Sequence, residues 1–155
     1  MIKALFIERL YRIIKIPYQL IFKKKEAWNL KTTDFLAYPQ ESLGFHYGCF
    51  LIKFNFKVQD TLEEHDVFHV ITQTGIEVID EICLQFYLFG NGKHSLFLYI
   101  VLFTGILFYP TKINLFYKNY HLGKKALQFY DLDFKKLLHL PVSEIQKTFN
   151  ISIHA

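Results

Sequence analysis

Apolar and polar residues follow a helical period along most of this chain. Residues 2–25 set Ile2, Leu5, Phe6, Leu10, Ile13 and Ile14 against Lys3, Arg9, Arg12 and Lys15. That spacing predicts an amphipathic helix ending near Pro17, followed by the run Lys23-Lys24-Lys25. Such a helix either packs one face on a core or lies on anionic lipid. From Trp28 to Pro39 the period breaks at Asn29, Thr32, Thr33 and Asp34, which predicts a linker. The division expected is an N-terminal helix and linker over 1–37 and a helical domain over 38–151, in one domain overall.

After Tyr38-Pro39, Phe45, Cys49 and Ile52 mark a short helix running to about Phe54, and Asn55 to Asp60 reads as a connection. Two capping-box patterns follow, Thr61-Leu62-Glu63-Glu64 and Thr74-Gly75-Ile76-Glu77. They predict two helices, broken at Thr72-Gln73-Thr74-Gly75 and folded into a hairpin. The second arm should run from Ile76 to about Phe89 and stop at Gly90-Asn91-Gly92.

Ser95 to Tyr109 is almost wholly apolar and is closed by Pro110. It is shorter than the roughly 20 residues that cross a bilayer, so a helix buried in the domain or lining a lipid groove is expected. From Lys112 the spacing predicts a helix continued past, or bent at, Gly123. A last short helix should start at Pro141 or Ser143 with Ile145 and Phe149 inward, and 150–155 should fray. Phe50 to Phe56 could pass for a strand, but the fold class expected is all-α: a compact bundle of about six to seven helices.

Composition changes this picture in one respect. Of the 155 residues, 52% are hydrophobic, with 17 Phe and 10 Tyr. That exceeds what one small core needs and points to a lipid, an apolar ligand, a partner or a membrane face. The net charge is +4, which suits an anionic membrane surface. Nucleic acid is not expected, because the basic residues are interleaved with Leu, Ile and Phe and match no groove-binding pattern. Cys49 and Cys83 lack CxxC spacing and read as two buried thiols in a reducing compartment. No secretory signal is evident. The location expected is cytoplasmic, peripheral to the inner face of the membrane. Exposed aromatic surface makes a homodimer plausible.

The chemistry concentrates between positions 65 and 81. On a helix, His65, Asp66 and His69 fall at roughly 0°, 100° and 40°, on one side. Glu81 lies about 18 Å further along a straight helix and can join them only if the chain turns back. Helical His and Asp are usually solvated or hydrogen-bonded. Here, however, Val67, Phe68, Val70 and Ile71 surround them, and unpaired polar groups are costly among such residues. His65, Asp66, His69 and Glu81 are therefore the candidate metal ligands. Imidazole and carboxylate without thiolate suit a divalent ion, zinc first, with iron, manganese or cobalt as alternatives. His46 is a fifth candidate, read first as an ordinary polar residue.

His65-Asp66-x-x-His69, followed by 11 residues and Glu81, resembles the signature of the Coq-four family of coenzyme Q (ubiquinone) biosynthesis proteins. Glu41-Ser42-Leu43-Gly44-Phe45-His46-Tyr47 is similar to a stretch upstream in that family. Tyr120-x-x-Gly123, Pro141-Val142-Ser143-Glu144-Ile145 and Asn150-Ile151 are similar to its C-terminal part. Together they cover roughly 38–151. Gln73, Ile76 and Asp80 depart from the family's more glycine-rich turn. The resemblance implies an α-helical fold and a divalent metal on His65, Asp66, His69 and Glu81. It also implies a peripheral membrane protein that holds a prenylated hydroxybenzoate-type precursor, removes the ring carboxylate with hydroxylation, and organises other enzymes of quinone biosynthesis. Two other readings stand beside this metal-dependent enzyme. One is a lipid-binding scaffold without catalysis of its own. The other is an HD-type metal phosphohydrolase, which would recruit His46 and Asp131 and leave His69 and Glu81 unexplained.

Overall fold

The computed structural model describes residues 27–59 and 62–153. The expected N-terminal amphipathic helix lies outside them, as does Thr61 of the first capping box. Among the described residues the chain forms seven α-helices and two short 3-10 turns, with one isolated β-bridge and no strand. The all-α expectation holds. The helices are α1 Thr32–Leu36, α2 Leu43–Lys53, α3 Glu63–Thr72, α4 Val78–Gly90, α5 Leu96–Phe108, α6 Ile113–Lys125 and α7 Val142–Thr148. They group into two units, one drawn from 24–73 and 132–155, the other containing Thr74–Asp131.

In the first unit the Ser42 hydroxyl accepts the Phe45 N–H at 3.3 Å and starts α2. Trp28, Phe35 and Tyr47 pack as an aromatic trio, with centroids 4.7 Å apart for Phe35–Tyr47 and 6.1 Å for Trp28–Tyr47. This corrects the linker expected from Trp28 to Pro39. Phe35 has no exposed surface, and α1 carries it. Helix α3 begins with Leu62 in the cap position, not Thr61, and carries Glu63, Glu64 and Asp66 in its first turn, where the helix dipole favours negative charge. It ends at Gln73, whose left-handed φ of 53° breaks the helix where the sequence predicted. The 3-10 turn Phe134–Leu137 sets Phe134 edge-on to Phe68 at 5.6 Å.

Residues 138–142 run beside 41–44. Leu140 and Leu138 accept the N–H groups of Leu43 and Gly44, each at 2.8 Å, and Val142 donates to Glu41 at 3.0 Å. The Gln146 amide donates to the Ile71 carbonyl at 2.8 Å and ties α7 to the end of α3. Ile151 is buried and its N–H bonds Gln146, so the fraying expected from residue 150 does not begin there.

In the second unit, α4 begins three residues later than the Thr74 capping box predicted. Glu77 is itself the cap, and its N–H donates to Asp80 Oδ2 at 3.1 Å. Ile82 and Cys83 of α4 pack with Phe97 and Val101 of α5 and Phe116 of α6. Phe86 stacks on Phe116 at 5.0 Å. Fully burying a side chain such as Phe116 is worth about 1.5–3 kcal/mol. Helices α4 and α6 meet backbone to backbone. A Cβ on Gly90 would fall on the Tyr120 carbonyl, and one on Gly123 on the Tyr87 carbonyl. Gly123 is thus a crossing point within α6 and not a bend.

Asn91 closes the unit. Its Oδ1 accepts the N–H groups of Phe129 (2.9 Å) and Tyr130 (3.2 Å). Its Nδ2 donates to the carbonyls of Leu127 (3.0 Å) and Gly123 (3.3 Å). Helix α5 is not buried all round. Phe97, Leu98, Val101, Leu102 and Gly105 face inward, while Phe103 is 68% and Leu96 61% exposed.

Candidate metal centre

Helix α3 places its acidic turn and both histidines by simple periodicity. His65 and His69 are one turn apart and both buried, at 5% and 4% exposure. Their Nε2 atoms face each other at 3.3 Å, and their rings stand at 78°. Two imidazoles bound at about 2.0–2.1 Å to one tetrahedral ion hold their nitrogens about 3.3 Å apart. The donors are thus already at metal-ligand spacing.

Among the described residues, His65, His69 and Glu81 form a group that could hold a metal ion. Each offers one ligand atom, and these atoms all lie within 4.8 Å of one another. Glu81 is 9% exposed, on the second turn of α4. One turn on, the Gln85 amide donates to Glu81 Oε1 at 2.8 Å. That bond orients the Glu81 carboxylate. Two imidazoles and a carboxylate form a donor set that fits a divalent cation and leaves a position open for a further ligand.

Asp66 is half-buried and stands outside that three-residue group; its Oδ2 accepts the Tyr47 hydroxyl at 3.3 Å. Burial, with Asp66 and then Glu63 adding, pushes the Tyr47 phenol far above its ordinary value, so Tyr47 stays a neutral donor. Glu63 is itself buried and accepts the Trp28 N–H at 2.9 Å. Phe50 stacks on the His69 ring, with centroids 5.9 Å apart and planes at 19°.

Cys83 is buried as expected, and burial pushes its thiol up to about 12. Cys49 is exposed, which corrects the expectation of two buried thiols. It lies on α2 between Gly48 and Phe50, and the three-residue apolar spacing through Phe45 and Ile52 gave the wrong face. His46 is also exposed and stands edge-on to Phe45.

Sequence reading missed Tyr47, Phe50 and Gln85. Only Gln85 carried a signal, the i, i+4 pairing of an amide with Glu81.

The family model for coenzyme Q (ubiquinone) biosynthesis protein Coq4 matches residues 53–154. None of the curated proteins matches. Among solved structures, the chain is similar to a candidate ubiquinone biosynthesis protein from Nostoc punctiforme PCC 73102. The TM-score is 0.64 at 20% identity, covering 92% of this chain and 80% of that one. At that identity the likeness concerns the fold.

Proposed function

On the premise that the chain belongs to the Coq4 family of coenzyme Q (ubiquinone) biosynthesis proteins, which gives it a role in that pathway, we propose that it binds a divalent metal and a prenylated hydroxybenzoate-type precursor. The observation that carries this reading is the buried pair of facing imidazole nitrogens, 3.3 Å apart, with Glu81 in the same group. His65, His69 and Glu81 would hold the ion, with Asp66 as a fourth ligand or as their polar neighbour. A bound ion of this kind supplies Lewis acidity toward an oxygen of the substrate ring and, where the metal is redox-active, a route for electrons to dioxygen.

The reaction proposed is oxidative decarboxylation: the ring carboxylate leaves as CO₂ and a hydroxyl takes its place. The substrate gives up two electrons; water supplies the hydroxyl oxygen, and dioxygen takes up the two electrons and two protons as hydrogen peroxide. The residues of the chain bind and orient. Gln85 fixes one oxygen of Glu81, the Phe50 ring stacks on His69, and both histidines are buried away from water.

The second observation concerns how a polyprenyl substrate is reached. Leu96, Tyr99, Phe103, Ile106 and Leu107 are all exposed and share an arc of about 100° on α5. Residues 96–125 carry four exposed lysines (Lys112, Lys118, Lys124, Lys125) and no Asp or Glu. Among the described residues no single helix is long and apolar enough to cross a membrane. We read the α5 stripe and these lysines as an interfacial surface that rests on anionic lipid.

The test is metal analysis and turnover together. The purified chain should carry metal near one equivalent and convert a prenylated hydroxybenzoate under air with CO₂ release, and His65→Ala should lose both. Metal without turnover would reduce the site to a structural one within a scaffold. No metal would sink the reading. Separately, the chain should sediment with anionic but not zwitterionic vesicles, and Phe103→Asp with Leu107→Asp should abolish this.

A further inference from the structure

Helices α2 and α3 meet through two side-chain pairs, one ending on His69 of the candidate centre and the other on Asp66, next to His65 in the chain. Tyr47 and Phe50 are three residues apart on α2, hence on one side of it. Asp66 and His69 have the same spacing on α3. The Tyr47 hydroxyl donates to Asp66, and the Phe50 ring lies over the His69 ring. The pairs follow the same order along both helices, 47 with 66 and 50 with 69.

Each partner on α2 is itself immobilised. Tyr47 has no exposed surface and is wedged by Phe35 and Trp28. Phe50 is held edge-on by Phe54 at 5.0 Å and Phe56 at 6.0 Å. This matters for a ligand set. An imidazole that turns about its last side-chain bond sweeps Nε2 along an arc, and a stacked ring removes that freedom. A carboxylate with one oxygen tied presents the other in one direction. Outer contacts of this kind typically carry 10–100-fold in metal affinity.

We propose that Tyr47 and Phe50 are positioning residues of the metal site: Tyr47 fixes the Asp66 carboxylate, Phe50 fixes the plane of the His69 imidazole, and α2 thereby presets the site before an ion arrives. The inference rests on the metal reading above.

It is tested on the full chain by Co²⁺ titration, followed in visible absorption and checked by Zn²⁺ competition. Wild type is compared with Tyr47→Phe, Phe50→Leu and Phe50→Tyr, and melting of the metal-free forms verifies folding. Tyr47→Phe and Phe50→Leu should each weaken binding about 10-fold and alter the Co²⁺ spectrum. Phe50→Tyr, which keeps a ring to stack, should restore both. A purely structural role would lower melting and leave the spectrum alone. Affinity and spectrum unchanged in Tyr47→Phe and Phe50→Leu would overturn the proposal. A second arm needs no metal: proton NMR of the His69 ring in the metal-free chain should shift in Phe50→Leu and not in Phe50→Tyr. A wild type that binds no Co²⁺ overturns the metal reading, whereas His69 signals indifferent to Phe50 overturn the clamp.

Discussion

The Nε2 atoms of His65 and His69 lie 3.3 Å apart on neighbouring turns of one helix, both out of solvent. A cation between them takes a lone pair from each Nε2 at once. Alanine at either position should therefore weaken Zn²⁺ binding by more than the roughly 10–100-fold that outer contacts carry. Gln85→Leu, which removes the amide bond to Glu81 Oε1, should fall inside that range. Isothermal titration of the metal-free chain compares them, and a His65→Ala affinity equal to wild type would contradict the geometry.

The two thiols should behave oppositely. At pH 8 a thiol reagent should titrate Cys49 in the native chain and reach Cys83 only on unfolding. Cys83 also links stability to pH. Its folded value is raised to about 12, so the unfolded chain releases this proton first. Its contribution is complete below the ordinary thiol value, near 8.5, and is lost as pH rises toward 12, by at most about 1.4 kcal/mol per unit. Relative to Cys83→Ala, denaturant melts of wild type at pH 8 and pH 11 should differ in that direction.

Asn91 satisfies two N–H groups and two carbonyls with one buried amide. Asn91→Ala leaves them without that partner, and each buried unsatisfied group costs about 1–3 kcal/mol. A loss of at least about 2 kcal/mol in urea unfolding is expected. Asn91→Asp should recover part of it, because the carboxylate still accepts from Phe129 and Tyr130.

Gly123→Ala would ordinarily favour a helix by about 1 kcal/mol. Here the added carbon meets the Tyr87 carbonyl of α4. Backbone cannot swing aside as a side chain can, so overpacking decides the sign, at about 3 kcal/mol destabilising or more. A variant as stable as wild type in thermal melts would contradict the crossing.

Much of this was legible in the sequence because it depends on spacing alone. The one-turn separation of His65 and His69 and the break at Gln73 need only helical geometry. So does the stop at Asn91-Gly92, where Gly92 takes a φ of 102°. What could not be read depends on partners distant in the chain. Trp28 looked like linker because the groups it packs on, Tyr47 and Glu63, lie 19 and 35 residues away. Tyr47 and Phe50 carried no signal of their role because nothing local aims them at Asp66 and His69. Helix α5 is apolar on every side, so its sequence could not say which side would remain in solvent.

The pairing of 41–44 with 138–142 has a consequence for synthesis. A chain emerging from the ribosome releases α1, α2 and α3 early, but the carbonyls that receive Leu43 and Gly44 arrive about ninety-five residues later. Residues 74–131, which carry α4, α5 and α6, emerge in between. The histidine-bearing unit is therefore closed last. Until residues 132–151 are out, its apolar surface around Phe68 stands without Phe134, the interval in which a nascent chain most needs shelter from aggregation.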